Sequence, residues 1–306
     1  MVCMTISKYE ESFQTLNAKD QETDDASRIW YFAYGSNMSS ETFRQHRGIS
    51  PLASVPVRIP GWALVFDIYG LPYREPAFSS ISPIPFSDDA TVNEKRNHNL
   101  PAVHGVAYLL DRQSWYSVVQ SEGGGTAYDE VEVLAEALSA HKCDENDELQ
   151  LLQLQASLGN SEAEGDELNQ PRQFHVTTLV RGYGPTVPRC PSLRYKGIIL
   201  DGAREEKLPV EYQCYLDTLP FYDAPSNGWR RLGATLFLAL WAPIMAAAEK
   251  LTGATANWDG RGNCPMCVKK VVRLILLLMW LHHDLLHAPL FGRGDGCDEA
   301  SELGCC

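Results

Sequence analysis

Apolar and polar positions along the chain fall into alternating runs first and long apolar runs last. Residues 1–27 are mostly polar and predict a loose leading segment. Order begins at Ile29-Trp30-Tyr31-Phe32-Ala33-Tyr34, a β-rich run stopped by Gly35-Ser36-Asn37. Ser39 or Ser40 can cap a short helix carrying Phe43 and Arg44. Residues 62–69 and 103–110 predict two further strands, with a polar loop over 85–99 between them. Asp111 can then cap a helix whose Trp115, Val118 and Val119 share one face, with Glu122 following on that face. Gly123-Gly124-Gly125 ends it. Val131, Val133 and Ala135 alternate with Glu130, Glu132 and Leu134 in a strand, and 174–180 resumes the sheet. Residues 144–167 hold eight acidic side chains and no Lys or Arg, which predicts an insertion between two strands of one sheet. A turn follows with Pro185, Pro188 and Pro191, then a helix over 209–216 with Pro209 in its first turn.

The last third differs. Residues 232–248 are seventeen uncharged positions in a row, and 274–281 is a second apolar run. The pattern predicts a helical hairpin over 229–290 and a tail over 291–306, after a catalytic body over 28–228. Such runs need a sink: the protein's own core, a second subunit or a bilayer. The first run contains Pro243 and the second falls short of a bilayer's thickness, which favours packing on the core over membrane contact.

The net charge of −13 makes the chain a poor partner for nucleic acid, whose affinity comes from Lys and Arg on phosphates. No basic stretch followed by an apolar run opens the sequence, so the expectation is a cytoplasmic protein whose nine cysteines stay reduced. Cys264-Pro265-Met266-Cys267, with His282, His283 and His287 beyond it, is the one conceivable zinc set; the preferred reading is no metal. Cys305-Cys306 resembles a lipidation signal of a size that recurs by chance.

Two features carry chemistry. A strand ending in Gly35-Ser36-Asn37 can leave successive backbone N–H groups unpaired, a nest for a carboxylate; an ordinary strand and turn fits as well. Glu122 lies on the apolar face of a short helix, at its C-terminal end. Burial and the negative helix end both disfavour its charged form, which suits a proton acceptor working near neutral pH.

Tyr31-Phe32-Ala33-Tyr34-Gly35-Ser36-Asn37-Met38 resembles the signature of the γ-glutamylcyclotransferase family. Glu122-Gly123 followed by Tyr128 resembles that family's helix-end glutamate and strand. Pro191 to Lys196, Gly202-Ala203, Leu208-Pro209, Tyr212 and Leu219-Pro220 resemble its C-terminal segment. The sequence between Glu122 and Tyr128 and the apolar tail are most similar to the fungal members that make gliotoxin-type toxins. The resemblance implies an α+β fold, a mixed β-barrel with flanking helices, to which this chain adds the hairpin. It implies release of 5-oxoproline from a small γ-glutamyl substrate, with Glu122 as general acid and base and no cofactor. The signature Tyr31, Phe32, Ala33, Tyr34, Gly35, Ser36 and Asn37 would hold the γ-glutamyl group, aided by Tyr128 and Tyr195. Each of those last two can instead be a core tyrosine. A housekeeping substrate such as glutathione and a non-catalytic binding role on the same fold are the alternatives.

Overall fold

A computed structural model describes residues 28–84, 100–138, 172–183, 187, 189–226 and 228–297. The readings placed on 1–27, on the 85–99 loop, on the 144–167 insertion, on Pro185 and Pro188, and on Cys305-Cys306 lie outside the described residues.

Five strands close a barrel in the order β1-β5-β2-β6-β7. β1 (Arg28–Ala33) runs antiparallel to β5 (Val103–Asp111), with Tyr31 opposite Tyr108. β5 pairs with β2 (Ala53–Ile59), β2 with β6 (Tyr128–Ala137), and β6 with β7 (Gln173–Arg181), all antiparallel. β7 closes on β1 in parallel at Tyr31 and Thr177, and the Thr178 hydroxyl donates to the Phe32 carbonyl across that seam at 2.8 Å. Phe32, Phe43, Val57, Ile59, Tyr108 and Leu110 fill the interior and are nearly inaccessible. β3 (Trp62–Leu71) and β4 (Glu75–Pro83) form a separate antiparallel hairpin.

Two strands escape the apolar pattern. β2 contains Pro56, which cannot donate to a ladder; its carbonyl accepts from Leu138 N instead, so the strand survives. β4 puts Ser79 and Ser80 in buried positions, where hydrogen bonding to tyrosine and backbone partners replaces apolar packing. After β5, helix α1 (Arg112–Ser121) is capped by Asp111, whose carboxylate accepts from Ser114 N at 2.7 Å. Helix α2 (Leu193–Glu205) is capped by Ser192 and was not anticipated behind its proline-rich approach. Helix α3 (Val210–Thr218) starts one residue later than expected, with Pro209 as its N-cap.

The extension is longer than its apolar runs suggest. α4 (Gly228–Thr255) contains Pro243 without ending there. α5 (Met266–His282) passes through a π-helical turn, His283–His287, into α6 (Ala288–Phe291). Phe237, Val272, Leu276, Met279 and Trp280 form its own buried cluster. Tyr73, at the tip of the β3–β4 turn with φ of 65°, inserts into that cluster and takes its N–H to the Gly294 carbonyl. The Trp280 indole donates to the Gly70 carbonyl at 3.1 Å. Arg189 stacks 3.6 Å over the Trp280 ring and faces Asp284 and Asp295. The expected tail from 291 therefore continues the packing to Cys297: Asp295 O accepts from Cys190 N, and Gly294 N donates to the His283 ring.

The conceivable zinc set is taken apart by helix length. Cys264 and Cys267 sit at the start of α5, and His282, its last residue, with His283 and His287 just past it, lies about 25 Å away at 1.5 Å per residue. His283, Asp284 and Asp295 do converge, but Arg189 and Arg293 already neutralise the two carboxylates.

α4 and the α5–α6 segment are each long and apolar enough to cross a membrane by length and composition. One face of the pair is committed to β3, the β3–β4 turn and the turn after α1. The outer face exposes Leu232, Leu236 and Leu240 on α4 and Leu274, Leu278 and Leu281 on α5. Because the inner face is hydrogen-bonded to the barrel side, carbonate washing of fractionated cells is expected to leave the untagged protein in the supernatant. A washed pellet that retains it would show a spanning segment.

Candidate active site

Glu122 is the C-cap of α1, fixed there because its N–H still bonds the Val118 carbonyl at 3.0 Å while Gly123, Gly124 and Gly125 take φ of 83°, 57° and 71°. Only glycine adopts three such conformations in a row without strain. Gly124 also admits the extension: a Cβ there would sit 2.6 Å from the Cys264 sulfur. Gly124→Ala is expected to destabilise the protein by roughly 1–3 kcal/mol, read as a lower midpoint in denaturant unfolding; an unchanged midpoint would show that this contact is loose.

β1 ends beside this turn. Tyr34 is followed by Gly35 and a 3₁₀ turn, Ser36–Met38. Met38 N and Ser39 N bond back to Gly35 O and Ser36 O, whereas the Gly35, Ser36 and Asn37 N–H groups donate to no described residue. The Asn37 amide donates both to the Tyr31 hydroxyl at 2.8 Å and to Glu122 Oε1 at 2.9 Å. Arg47, from the turn after the π-helical segment Glu41–His46, contacts the same Oε1 at 2.7 Å and also reaches the Ser121 hydroxyl. The two side chains are 16% and 18% exposed, so the pair is largely shielded from water.

Tyr195, on α2, shares a hydrogen bond with the Ser79 hydroxyl at 2.9 Å, and Tyr128 donates to the Ser79 carbonyl at 3.2 Å. Tyr34 donates to the Leu179 carbonyl. Burial first, and the Glu122 charge among the further causes, push the phenols of Tyr31, Tyr34, Tyr128 and Tyr195 above the ordinary tyrosine range. All four remain neutral donors at physiological pH.

These groups, with Leu179, line a small cavity of about 30 Å³ formed by Tyr31, Tyr34, Gly35, Ser36, Asn37, Ser79, Glu122, Tyr128 and Tyr195. A second cavity, about 190 Å³, adjoins it and shares Glu122, Tyr128 and Leu179. Phe32 and Ala33 line neither cavity: both are buried in β1, and the Phe32 carbonyl is spent on the barrel seam. In the structure these two pack within the barrel. Arg47 and Ser79 were missed. Ser79 lies on the strand that the apolar pattern did not show, and Arg47 reaches the carboxylate only through the folded turn.

The chain is 37% identical over 278 residues to the γ-glutamyl cyclotransferase aclK of Aspergillus oryzae, a match covering 90% of this chain and 93% of that one. It is 34% identical to the γ-glutamyl cyclotransferase gliK of Aspergillus fumigatus, covering 88% and 89%. This chain belongs to the γ-glutamyl cyclotransferase family. Members of the family are enzymes, and the barrel with its helices is the α+β architecture that the resemblance implied. Residues 227–290 match a family model described as the AclK C-terminal domain. That span is the helical extension from the start of α4 through α6. Two solved structures are similar at lower identity. One is a γ-glutamyl cyclotransferase (TM-score 0.43, 18% identity, covering 65% of this chain and 92% of that one). The other is a yeast γ-glutamyl cyclotransferase specific to glutathione (TM-score 0.41, 14%, 62% and 94%).

Proposed function

We propose that the protein releases 5-oxoproline from a glutathione-derived γ-glutamyl compound, with Glu122 as the general acid and base. The observation that carries this is the position of the Glu122 carboxylate. It stands at the junction of the two cavities, held by Asn37 and Arg47, and the smaller cavity is also lined by Gly35, Ser36 and Asn37, whose N–H groups donate to no described residue.

In this reading the nest and the four neutral tyrosines hold the γ-glutamyl group, whose carboxylate suits converging N–H donors. Glu122 accepts a proton from the substrate α-amine. The amine nitrogen attacks the γ-carbonyl carbon of the same group, forming the five-membered lactam. The bond from that carbon to the leaving nitrogen breaks, and Glu122 returns the proton to the leaving amine. Because nucleophile and electrophile belong to one molecule, holding the chain folded supplies much of the barrier reduction. No cofactor is required by this sequence of steps.

We place the enzyme in fungal secondary metabolism, including toxin formation, on the strength of its likeness to aclK and gliK, and in the cytoplasm. Nucleic acid is not a partner in this reading, and the site serves a small molecule. A non-catalytic binding role is disfavoured by the presence of Glu122. Incubation with a panel of γ-glutamyl amino acids, glutathione and S-substituted glutathione adducts, followed by assay of 5-oxoproline, is the test. Release from the adducts is expected; release from glutathione alone would make the role housekeeping, and release from none would overturn the reading.

A further inference from the structure

The larger cavity is not built by the barrel alone. Its far wall is Asn263 and Lys269, from the loop before α5 and the first turn of that helix. Asn263 is fixed by Asp259, which accepts from its backbone N–H at 3.0 Å and from its side-chain amide at 3.1 Å. Its own Oδ1 accepts from the Lys269 ammonium at 3.1 Å. Gly125 makes room for that ammonium: a Cβ there would lie 2.4 Å from Nζ. Lys269 is therefore half-buried and aimed at the cavity by a built support.

An ammonium carries three donors, and Asn263 takes one. Among the described residues no carboxylate lies within 4.0 Å of Lys269. Asp129 and Glu130 also line this cavity and are exposed; the Lys269 charge acts on the Glu130 carboxyl without an ion-pair contact, and Glu130 has the Trp115 indole as a hydrogen-bond partner.

We propose that Lys269 anchors a carboxylate on the amine half of the substrate, making the extension a specificity subsite. The inference rests on the γ-glutamyl reading of the adjoining small cavity. If that cavity's nest takes the carboxylate end of the γ-glutamyl group, the scissile bond lies at Glu122 and the leaving amine projects into the larger cavity. A leaving amino acid or peptide carries its carboxylate there, and Lys269 is the cation that faces it.

The test compares γ-glutamyl-alanine with γ-glutamyl-alaninamide, which differ in the terminal charge. The full-length enzyme is expected to favour the acid roughly tenfold or more in kcat/KM, as a charge-assisted hydrogen bond provides, with the difference carried in KM. Lys269→Met is expected to bring the ratio close to one, and Lys269→Arg to retain most of it. Asn263→Ala, which frees the ammonium from its support, is expected to reduce the ratio by a smaller factor. An unchanged ratio in Lys269→Met, or no charge preference in the parent enzyme while 5-oxoproline is still released, overturns this inference and leaves the function standing. Absence of 5-oxoproline from both substrates and from the wider panel removes the function and this inference together.

Discussion

Replacing Glu122 with Gln is expected to lower 5-oxoproline release at least ~10²-fold, as loss of a general base does, while the protein stays folded. The substitution keeps size and shape, so the C-cap geometry and the three-glycine turn are retained. It removes basicity and one negative charge. Asn37 donates its amide to Oε1, and that bond can persist to the Gln carbonyl oxygen. Arg47 loses its ion pair but keeps the Ser121 hydroxyl, and it can still donate to the neutral Gln oxygen in place of the carboxylate. The melting temperature is thus expected to change by only a few degrees, roughly the effect of 1 kcal/mol or less. Steady-state turnover and a thermal melt on the same preparation decide it. Near-normal turnover from Glu122→Gln would remove Glu122 from the chemistry and leave the nest and tyrosines as a binding site only.

Truncating Trp280 to Ala should produce the largest loss of stability in the extension, about 3–5 kcal/mol by analogy with buried aromatic deletions. This ring is the joint between the two parts of the molecule. It is buried in the cluster with Tyr73, and its indole N–H satisfies the Gly70 carbonyl. Its face supports Arg189, whose side chain is itself nearly inaccessible and opposes Asp295. Removing the ring opens a cavity and leaves a buried cation poorly covered, two costs with separate causes. Trp280→Phe keeps a face for Arg189 and loses the hydrogen bond, so a penalty near 1–2 kcal/mol is expected. Denaturant unfolding of the three proteins orders them. A Trp280→Ala protein within about 1 kcal/mol of the parent would show that the extension is held elsewhere, through Tyr73 and the 292–297 segment. Activity should follow stability, because α5 also supplies Lys269 and Arg273. The latter donates from its guanidinium to the Thr126 and Gly125 carbonyls just behind Glu122.

The sequence by itself determined the local elements whose causes are local. Asp111 caps α1 because a carboxylate three residues ahead of a free N–H can accept it, and that is visible in the order of residues. The halt at Gly123-Gly124-Gly125 is equally local, since a run of positive φ needs glycine. The strands at Tyr31, Tyr108 and Val133 announce themselves by β-branched and aromatic content. The position of Glu122 at a helix end followed from the same evidence, and the resemblance of the Tyr31 to Met38 segment joined it to a chemistry.

Tertiary structure decided what depends on residues far apart in the chain. Phe32 and Ala33 belong to the signature, yet pairing with β5, and for Phe32 also with β7, takes their backbone into the barrel, and neither lines the cavities. Ser79 enters the site because β4 folds back beside α2 and meets Tyr195 across 116 residues. Its strand was hidden because buried serines break the apolar pattern when hydrogen bonds replace packing. Arg47 reaches Glu122 across more than seventy positions, and no periodicity encodes such a contact. The extension read as a hairpin seeking a sink. Only the fold shows that its inner face is spent on Tyr73, Gly70 and the glycine turn, and that this docking carries Lys269 to the wall of the larger cavity. Ion pairs and cavity walls are set by which surfaces meet, and that is a property of the packed chain, not of any segment within it.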